Sequence, residues 1–411
     1  MNEGGAKSSA SVVRSQRWLN ETVVAIALAS LFSDIGHEMA TASLPVLISS
    51  FGGTSASLGL IEGLADGAAS FIKLLSGIYT DHLSKRKPLA VFGYLMTALG
   101  MASFALSTRV WHVLLGRIIG WIGRGARTPV KKVLLTEATT PSTYGRAFGF
   151  ERAMDTAGAI VGPLLSMILV AAAGLKFTFA FTLIPGGIAA LLIAFLVRER
   201  KHSRSSKRES IWNGVLNLPR PFLRYLTGVG IAGLGDFSKS LLIFWATIAW
   251  TPEYGIIRAG SLAIAFYTGY NVIYSISCFW SGYLADRYSQ NLILASGYLL
   301  ATIPALSLMI SGTSFTKFAL VFGFSGLYMG VWETVESSTA AALLRSSERG
   351  TGFGILATVN GLGDLISSVA VGALWVVSSK SAMLFVIVTA VIGAIVILKT
   401  KTDGPRLEKT A

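Results

Sequence analysis

Cysteine occurs once in the 411 residues, at Cys278, and histidine only four times. A lone cysteine excludes an intrachain disulfide framework, and no thiol–imidazole spacing of a structural metal site is present. Charge is scarce as well: 14% of residues are Asp, Glu, Lys or Arg, where a soluble domain carries about 25%. Phosphate-binding glycine loops, Ser-His-Asp ordering and metallohydrolase motifs are all missing from the sequence, so neither an enzyme nor a bound cofactor is expected. The net charge of +14 raises the question of nucleic acid. The cations, however, sit in short polar breaks between apolar runs, with no basic domain or interleaved aromatics, and no nucleic-acid partner is expected.

What the chain has is apolar length. Hydrophobic residues make up 52% of it and mean hydropathy is +0.61. The apolar residues come in runs of about 20, enough to cross the hydrocarbon core of a bilayer. Twelve such runs lie near 21–48, 57–80, 88–107, 111–135, 147–173, 177–197, 224–250, 260–284, 291–311, 317–344, 352–377 and 382–398. In lipid every backbone polar group needs an internal partner, so each run is expected to be a helix. The fold class expected is therefore an all-α membrane protein of 12 transmembrane helices. The first run contains Asp34, His37 and Glu38, too long and too polar for a signal-peptide core, and reads as an uncleaved span.

Five segments follow: an N-terminal tail 1–20, a six-helix half 21–197, a linker 198–223, a second six-helix half 224–398 and a tail 399–411. The linker opens with the basic run Arg198–Arg204 and continues with Trp212, Val215, Leu216, Leu218 and Phe222 at amphipathic spacing, as in a helix lying on the membrane surface. Lys7, Arg14, Arg17, Lys85, Arg86, Lys87, Arg146, the linker cluster, Arg287, Arg345 and Arg349 fall in alternate breaks. The other breaks hold only Arg109, Lys176, Arg258, Lys317 and Lys380. That asymmetry predicts an inner-membrane protein with both termini cytoplasmic.

The halves repeat. Gly77…Asp81 closes the second run and Gly282…Asp286 the eighth, an offset of 286 − 81 = 205 residues. The same offset pairs Gly145, Phe148, Gly149 and Gly158 with Gly350, Phe353, Gly354 and Gly363, and Asp155 with Asn360. Parallel repeats of this kind place a site between the halves near the midplane.

Ionisable residues within the runs are functional candidates, because an unpaired charge in the bilayer costs several kcal/mol. Asp34, His37 and Glu38 share one face of the first run; Glu62, Asp66 and Lys73 share a face of the second; Glu151 and Asp155 lie on the fifth. Arg117, Trp121, Arg124, Thr128 and Lys131 share a face of the fourth, where Arg117 and Arg124 must meet a cavity or a carboxylate. Lys131 and Lys132 are expected to snorkel to the inner surface. The second half offers Asp236 with Lys239, Glu333 with Glu336, and Asn360 with Asp364. At the repeat offset Glu62 and Asp66 become Tyr267 and Asn271, so the first half is expected to carry proton coupling and the second to shape substrate choice. The His37 cluster reads either as a His–carboxylate proton pair or as a transition-metal site. Structural ion pairing is the competing reading of every cluster.

Several motifs resemble the major facilitator superfamily over nearly the whole chain. Gly77-Ile78-Tyr79-Thr80-Asp81-His82-Leu83-Ser84-Lys85-Arg86 is similar to its loop motif G-x-x-x-D-R-x-G-R-K, with His82 and Ser84 as departures; Gly282-Tyr283-Leu284-Ala285-Asp286-Arg287 is a second copy. The resemblance implies a cytoplasmic charge latch, with Glu137 as partner for Lys85 or Arg86. Gly158-Ala159-Ile160-Val161-Gly162-Pro163 resembles the antiporter motif G-x-x-x-G-P-x-x-G-G, and Arg117…Arg124 resembles the buried-arginine motif of the fourth helix. What this implies is a proton-coupled antiporter exporting a small polar or charged molecule by alternating access. Its partners would be the substrate, protons and the lipid bilayer, and the functional unit a monomer. The alternatives are proton-coupled import of a charged metabolite, siderophore or metal ion, and a non-transporting membrane sensor.

Overall fold

The computed structural model describes residues 18–52, 55–199, 218–237, 239–310 and 312–400. Most of both tails fall outside them, as do Trp212, Val215 and Leu216 of the surface helix expected in the linker; its Leu218 and Phe222 are described and buried, with Phe222 in the first helix of the second half. Among the described residues there is no strand. The first half contains α1 (Glu21–Ser50), α2 (Ser55–His82), α3 (Lys87–Ala102), α4 (Val110–Glu137), α5 (Tyr144–Phe181) and α6 (Leu183–Leu196). The second contains α7 (Arg220–Gly233), α8 (Lys239–Arg287), α9 (Gln290–Leu300), α10 (Thr302–Met309), α11 (Phe315–Leu343), α12 (Arg349–Val377) and α13 (Ser379–Lys399). Two of these runs are interrupted by glycines in the left-handed region, Gly174 at φ +81° in α5 and Gly255 at φ +73° in α8. Only glycine adopts such a conformation freely, so the helical runs before and after it become separate spans. With those breaks, with α9 and α10 sharing one span, and with α7 and the start of α8 sharing another in which helix ends at Gly233 and resumes at Lys239, each of the twelve expected runs lies mainly on helix.

Eight stretches among the described residues are apolar and long enough to cross a membrane, one of them, Pro141–Leu196, of 56 residues. The spans that fail this criterion are α2, α4 and the α7–α8 start. These carry Glu62, Asp66 and Lys73, the cations of α4, and Asp236 with Lys239. Their polarity is tolerated because those charges face protein and cavity rather than lipid.

Within the first half α1 packs on α5 and α6, and α4 on α2 and α3; in the second α11 packs on α8 and α9, and α13 on α7. The halves meet along α2 against α12 and α5 against α8. At one end both meetings are backbone to backbone. A Cβ on Gly77 would collide with the Gly350 carbonyl, and one on Gly145 with the Gly282 carbonyl. Toward the other end of α2, Gly67 and Gly63 have nothing within 4 Å of such a Cβ, and neither does Gly269 of α8. The bundle is closed at the Asp81/Asp286 end and open at the opposite one.

Candidate functional site

Repeat-related carboxylates hold the closed end together. Asp81 accepts the backbone N–H groups of Gly350 and Thr351, both at 2.7 Å. Asp286 accepts those of Gly145 at 2.7 Å and Arg146 at 3.0 Å, with Arg146 Nε at 2.7 Å. Each aspartate thus caps the start of a helix in the other half, where free N–H groups and the helix dipole favour negative charge. The latch implied by the resemblance joined the aspartate and the loop cations, with Glu137 as partner for Lys85 or Arg86. Of those, Arg86 is buried, pairs with Glu137 and donates from Nε to the Thr80 carbonyl at 3.0 Å. Lys85 is exposed without an ion pair among the described residues, and Arg287 lies 4.2 Å over the Tyr283 ring.

Behind this closed end lies a cavity of about 240 Å³ between the halves. Residues three and four apart on a helix share a face, and this brings Arg124, Arg127, Lys131 and Lys132 of α4 to its wall with Glu151, Arg152 and Asp155 of α5. Lys73 enters from α2, Glu333 and Glu336 from α11, Asn360 and Asp364 from α12. Lys131 Nζ meets Glu151 at 2.5 Å and Asp155 at 4.0 Å, and Ser30 donates to the same Glu151 oxygen at 2.6 Å. Arg152 pairs with Asp155 at 2.9 Å, donates to the Tyr274 hydroxyl at 2.7 Å and crosses to Glu333 of the other half. Glu336 accepts from Trp332 Nε1 at 2.5 Å and from Asn360 Nδ2 at 2.6 Å. Lys132 donates to Ser337 at 3.0 Å. The snorkelling expected of Lys131 and Lys132 does not occur: their face of α4 turns inward, where carboxylate and hydroxyl partners offset their desolvation.

A second cluster adjoins the cavity through Arg124. The Trp121 indole lies between His37, stacked at 4.3 Å, and the guanidinium of Arg117 at 4.2 Å, and donates to Asp66 at 2.5 Å. Arg117 pairs with Glu62 at 2.8 Å, and Arg124 with Asp34 at 3.3 Å. His37 Nε2 is 3.8 Å from Glu38. Asp34, His37 and Glu38 do not converge as metal donors, and among the described residues no group of three His, Cys, Asp or Glu is placed to hold an ion. Facing them on α5, Gly158 lets α1 approach until an added Cβ would lie 2.6 Å from the Leu31 carbonyl and 2.9 Å from Asp34 Cβ. Gly162 does the same against Glu38 Cβ at 2.8 Å, followed by Pro163 inside the helix.

Asp236 and Lys239 pair at 3.3 Å, with Tyr328 donating to Asp236 at 3.1 Å. Asn271 donates to the Tyr267 carbonyl at 3.1 Å. None of these five lines the central cavity. Conversely Lys73, Arg127, Lys132 and Arg152 do; the sequence put Lys73 on a face with Glu62 and Asp66 and Lys132 near the inner surface, and left Arg127 and Arg152 outside every cluster, although the i,i+3 spacing of Arg152 to Asp155 was an available signal.

An intramembrane cavity lined by both signs of charge, reached from one end of a two-fold bundle, is the architecture of a secondary transporter. The model of the Major Facilitator Superfamily matches residues 26–368, and the chain belongs to that family. It is 29% identical over 389 residues to an uncharacterized MFS-type transporter of Methanocaldococcus jannaschii, covering 93% of this chain and 95% of the relative. It is also 27% identical over 316 residues to the multidrug resistance protein MdtH of Photorhabdus laumondii, covering 72% and 73%. Among solved structures, a bacterial homologue of the iron transporter ferroportin in an outward-facing state superposes with a TM-score of 0.75 at 16% identity, covering 92% of this chain and 98% of that one. The fucose:proton symporter FucP of E. coli gives 0.73 at 16% identity, covering 93% and 99%. At such identities the likeness concerns the fold.

Proposed function

We propose that the protein is a proton-coupled antiporter of the inner membrane that exports a small polar or charged molecule. The observation that carries this reading is the Asp34–Arg124 pair. It sits on the α1 face against which Gly158 and Gly162 of α5 pack, and Arg124 also lines the cavity. With Asp34 ionised, Arg124 is held toward α1. Protonating Asp34 frees the guanidinium to turn to the cavity carboxylates, where it competes with a cationic group of the substrate. Proton and substrate then exclude one another, which is the requirement for exchange. The 21–197 and 224–398 halves would rock about the cavity, with coupling concentrated in the first and substrate choice in the second. The basic flanks put both termini in the cytoplasm, so the closed Asp81/Asp286 end is cytoplasmic and the open end outward. The relation to MdtH supports the export direction.

Inside-out vesicles with a lumenal pH dye, screened against small amines and zwitterions, test this. A transported solute should alkalinise the lumen, and Asp34→Asn should abolish the proton signal while solute exchange continues. Lumenal acidification during uptake would establish symport instead, and unchanged coupling in Asp34→Asn would remove Asp34 from the mechanism.

A further inference from the structure

Once the close ion pairs are set aside, the charge left in the cavity is sorted by half. Lys131, Glu151, Asp155, Arg152 and Glu333 form one connected set of ion pairs. Three cavity cations have no carboxylate within 4 Å among the described residues: Lys73, Arg127 and Lys132. Lys73 has no polar partner there, Lys132 meets only the Ser337 hydroxyl and the Phe353 ring, and Arg127 lies 4.1 Å over the Tyr94 ring with its Nε unpartnered. All three belong to the first half. Two cavity carboxylates have no cation within 4 Å among the described residues: Glu336, bonded to the neutral donors Trp332 and Asn360, and Asp364. Both belong to the second half.

We infer that the substrate is a small zwitterion that binds across the two halves, its anionic group toward Lys73, Arg127 and Lys132 and its cationic group toward Glu336 and Asp364. This deepens the transporter reading above and rests on the same cavity. A purely anionic molecule would satisfy the first wall and be repelled by the second; a pure cation would meet the reverse. Each would leave desolvated charge unpaired, which is costly in a cavity. The volume of about 240 Å³ is below the usual range of drug pockets, roughly 300–1,000 Å³, and suits a metabolite.

The test is equilibrium binding to the purified full-length protein, read by thermal shift and intrinsic tryptophan fluorescence. The zwitterionic probes are β-alanine, γ-aminobutyrate and ε-aminocaproate; butyrate and butylamine are the singly charged controls of matched length. At least one ω-amino acid should bind about tenfold or more tighter than either control, the factor that corresponds to about 1.4 kcal/mol. Asp364→Asn should lower that affinity toward that of butyrate, and Lys73→Gln toward that of butylamine. If a variant misfolds, the wild-type comparison still decides. Butyrate or butylamine binding as tightly as the ω-amino acids, or no ω-amino acid binding, overturns the proposal. No gradient is applied, so an error in transport direction or coupling ion leaves this result intact, and a failure here leaves the vesicle result standing.

Discussion

Arg349 donates to the Tyr144 hydroxyl at 2.7 Å, and the two residues are one repeat apart, 205 positions in the chain. Lys132 and Ser337 have the same separation and meet at 3.0 Å. Repeat-related residues can touch only where the two-fold axis passes between them. The axis therefore runs through the closed end and beside the cavity. Contacts flanking it come in symmetric pairs, Asp81 on the α12 start and Asp286 on the α5 start. An opening of this end would break both together, as a two-state element does.

Gly145→Ala should prop the end open. Its methyl would collide with the Gly282 carbonyl, a backbone atom that cannot step aside. The ratio of closed to open end should fall by about tenfold or more, since overpacking costs about 1–3 kcal/mol. Spin-label distances between the Tyr144 end of α5 and the Arg287 end of α8 would report it, and an unchanged distance distribution would show that the contact does not set the equilibrium.

Glu137→Gln should destabilise the fold more than a surface charge change. Arg86 is 1% exposed and Glu137 is its carboxylate partner, from α4. Neutralising that partner leaves a buried cation compensated mainly by the Thr80 carbonyl and costs about 3–5 kcal/mol. Thermal unfolding in detergent measures it. A loss below about 1 kcal/mol, the value of an exposed pair, would mean that water reaches Arg86.

The bundle was legible because its rules are simple. Apolar runs fix the spans, and the Asp81/Asp286 repeat fixes the two-fold relation. The faces of α1 and α4 were legible from helical spacing, which put Asp34, His37 and Glu38 together on one and Arg117, Trp121 and Arg124 together on the other. What could not be read was which faces meet. Glu62 finds Arg117 from another helix, and Glu333 finds Arg152 from the other half. Tyr267 and Asn271 lie off the cavity, as do Glu62 and Asp66, their partners at the repeat offset. Lys131 and Lys132 were placed near the lipid surface because depth was read from sequence distance, and the α4 face they occupy turns inward instead.

Trp121→Leu should disturb the cluster around Asp34, His37 and Arg117, and reach the cavity wall only through Arg124. The indole separates His37 from Arg117, lies 5.5 Å from the Arg124 guanidinium and donates to Asp66. Losing the cation–π contacts costs about 0.5–2 kcal/mol, and the freed Arg117 and Arg124 gain alternative carboxylates. Proton movement should become less tightly tied to solute movement, with a higher leak in vesicles. A variant with unchanged stoichiometry would reduce Trp121 to a packing role.

Arg152 and Glu333 join the halves directly, and their substitutions should be neither equal nor additive. Glu333→Gln leaves Arg152 held by Asp155 at 2.9 Å and by the Tyr274 hydroxyl, so its cation stays compensated. Arg152→Gln strips both Asp155 and Glu333 of a partner and leaves Asp155 to Lys131 at 4.0 Å. The arginine change should therefore be the more damaging to thermal stability. In the double variant the second substitution finds the pair already broken, which gives a coupling energy of about 1–3 kcal/mol. Additivity within about 0.5 kcal/mol would mean that the ion pair contributes nothing net. Loss of Glu333 alone matching that of Arg152 would place the main restraint on the second half instead of on α5.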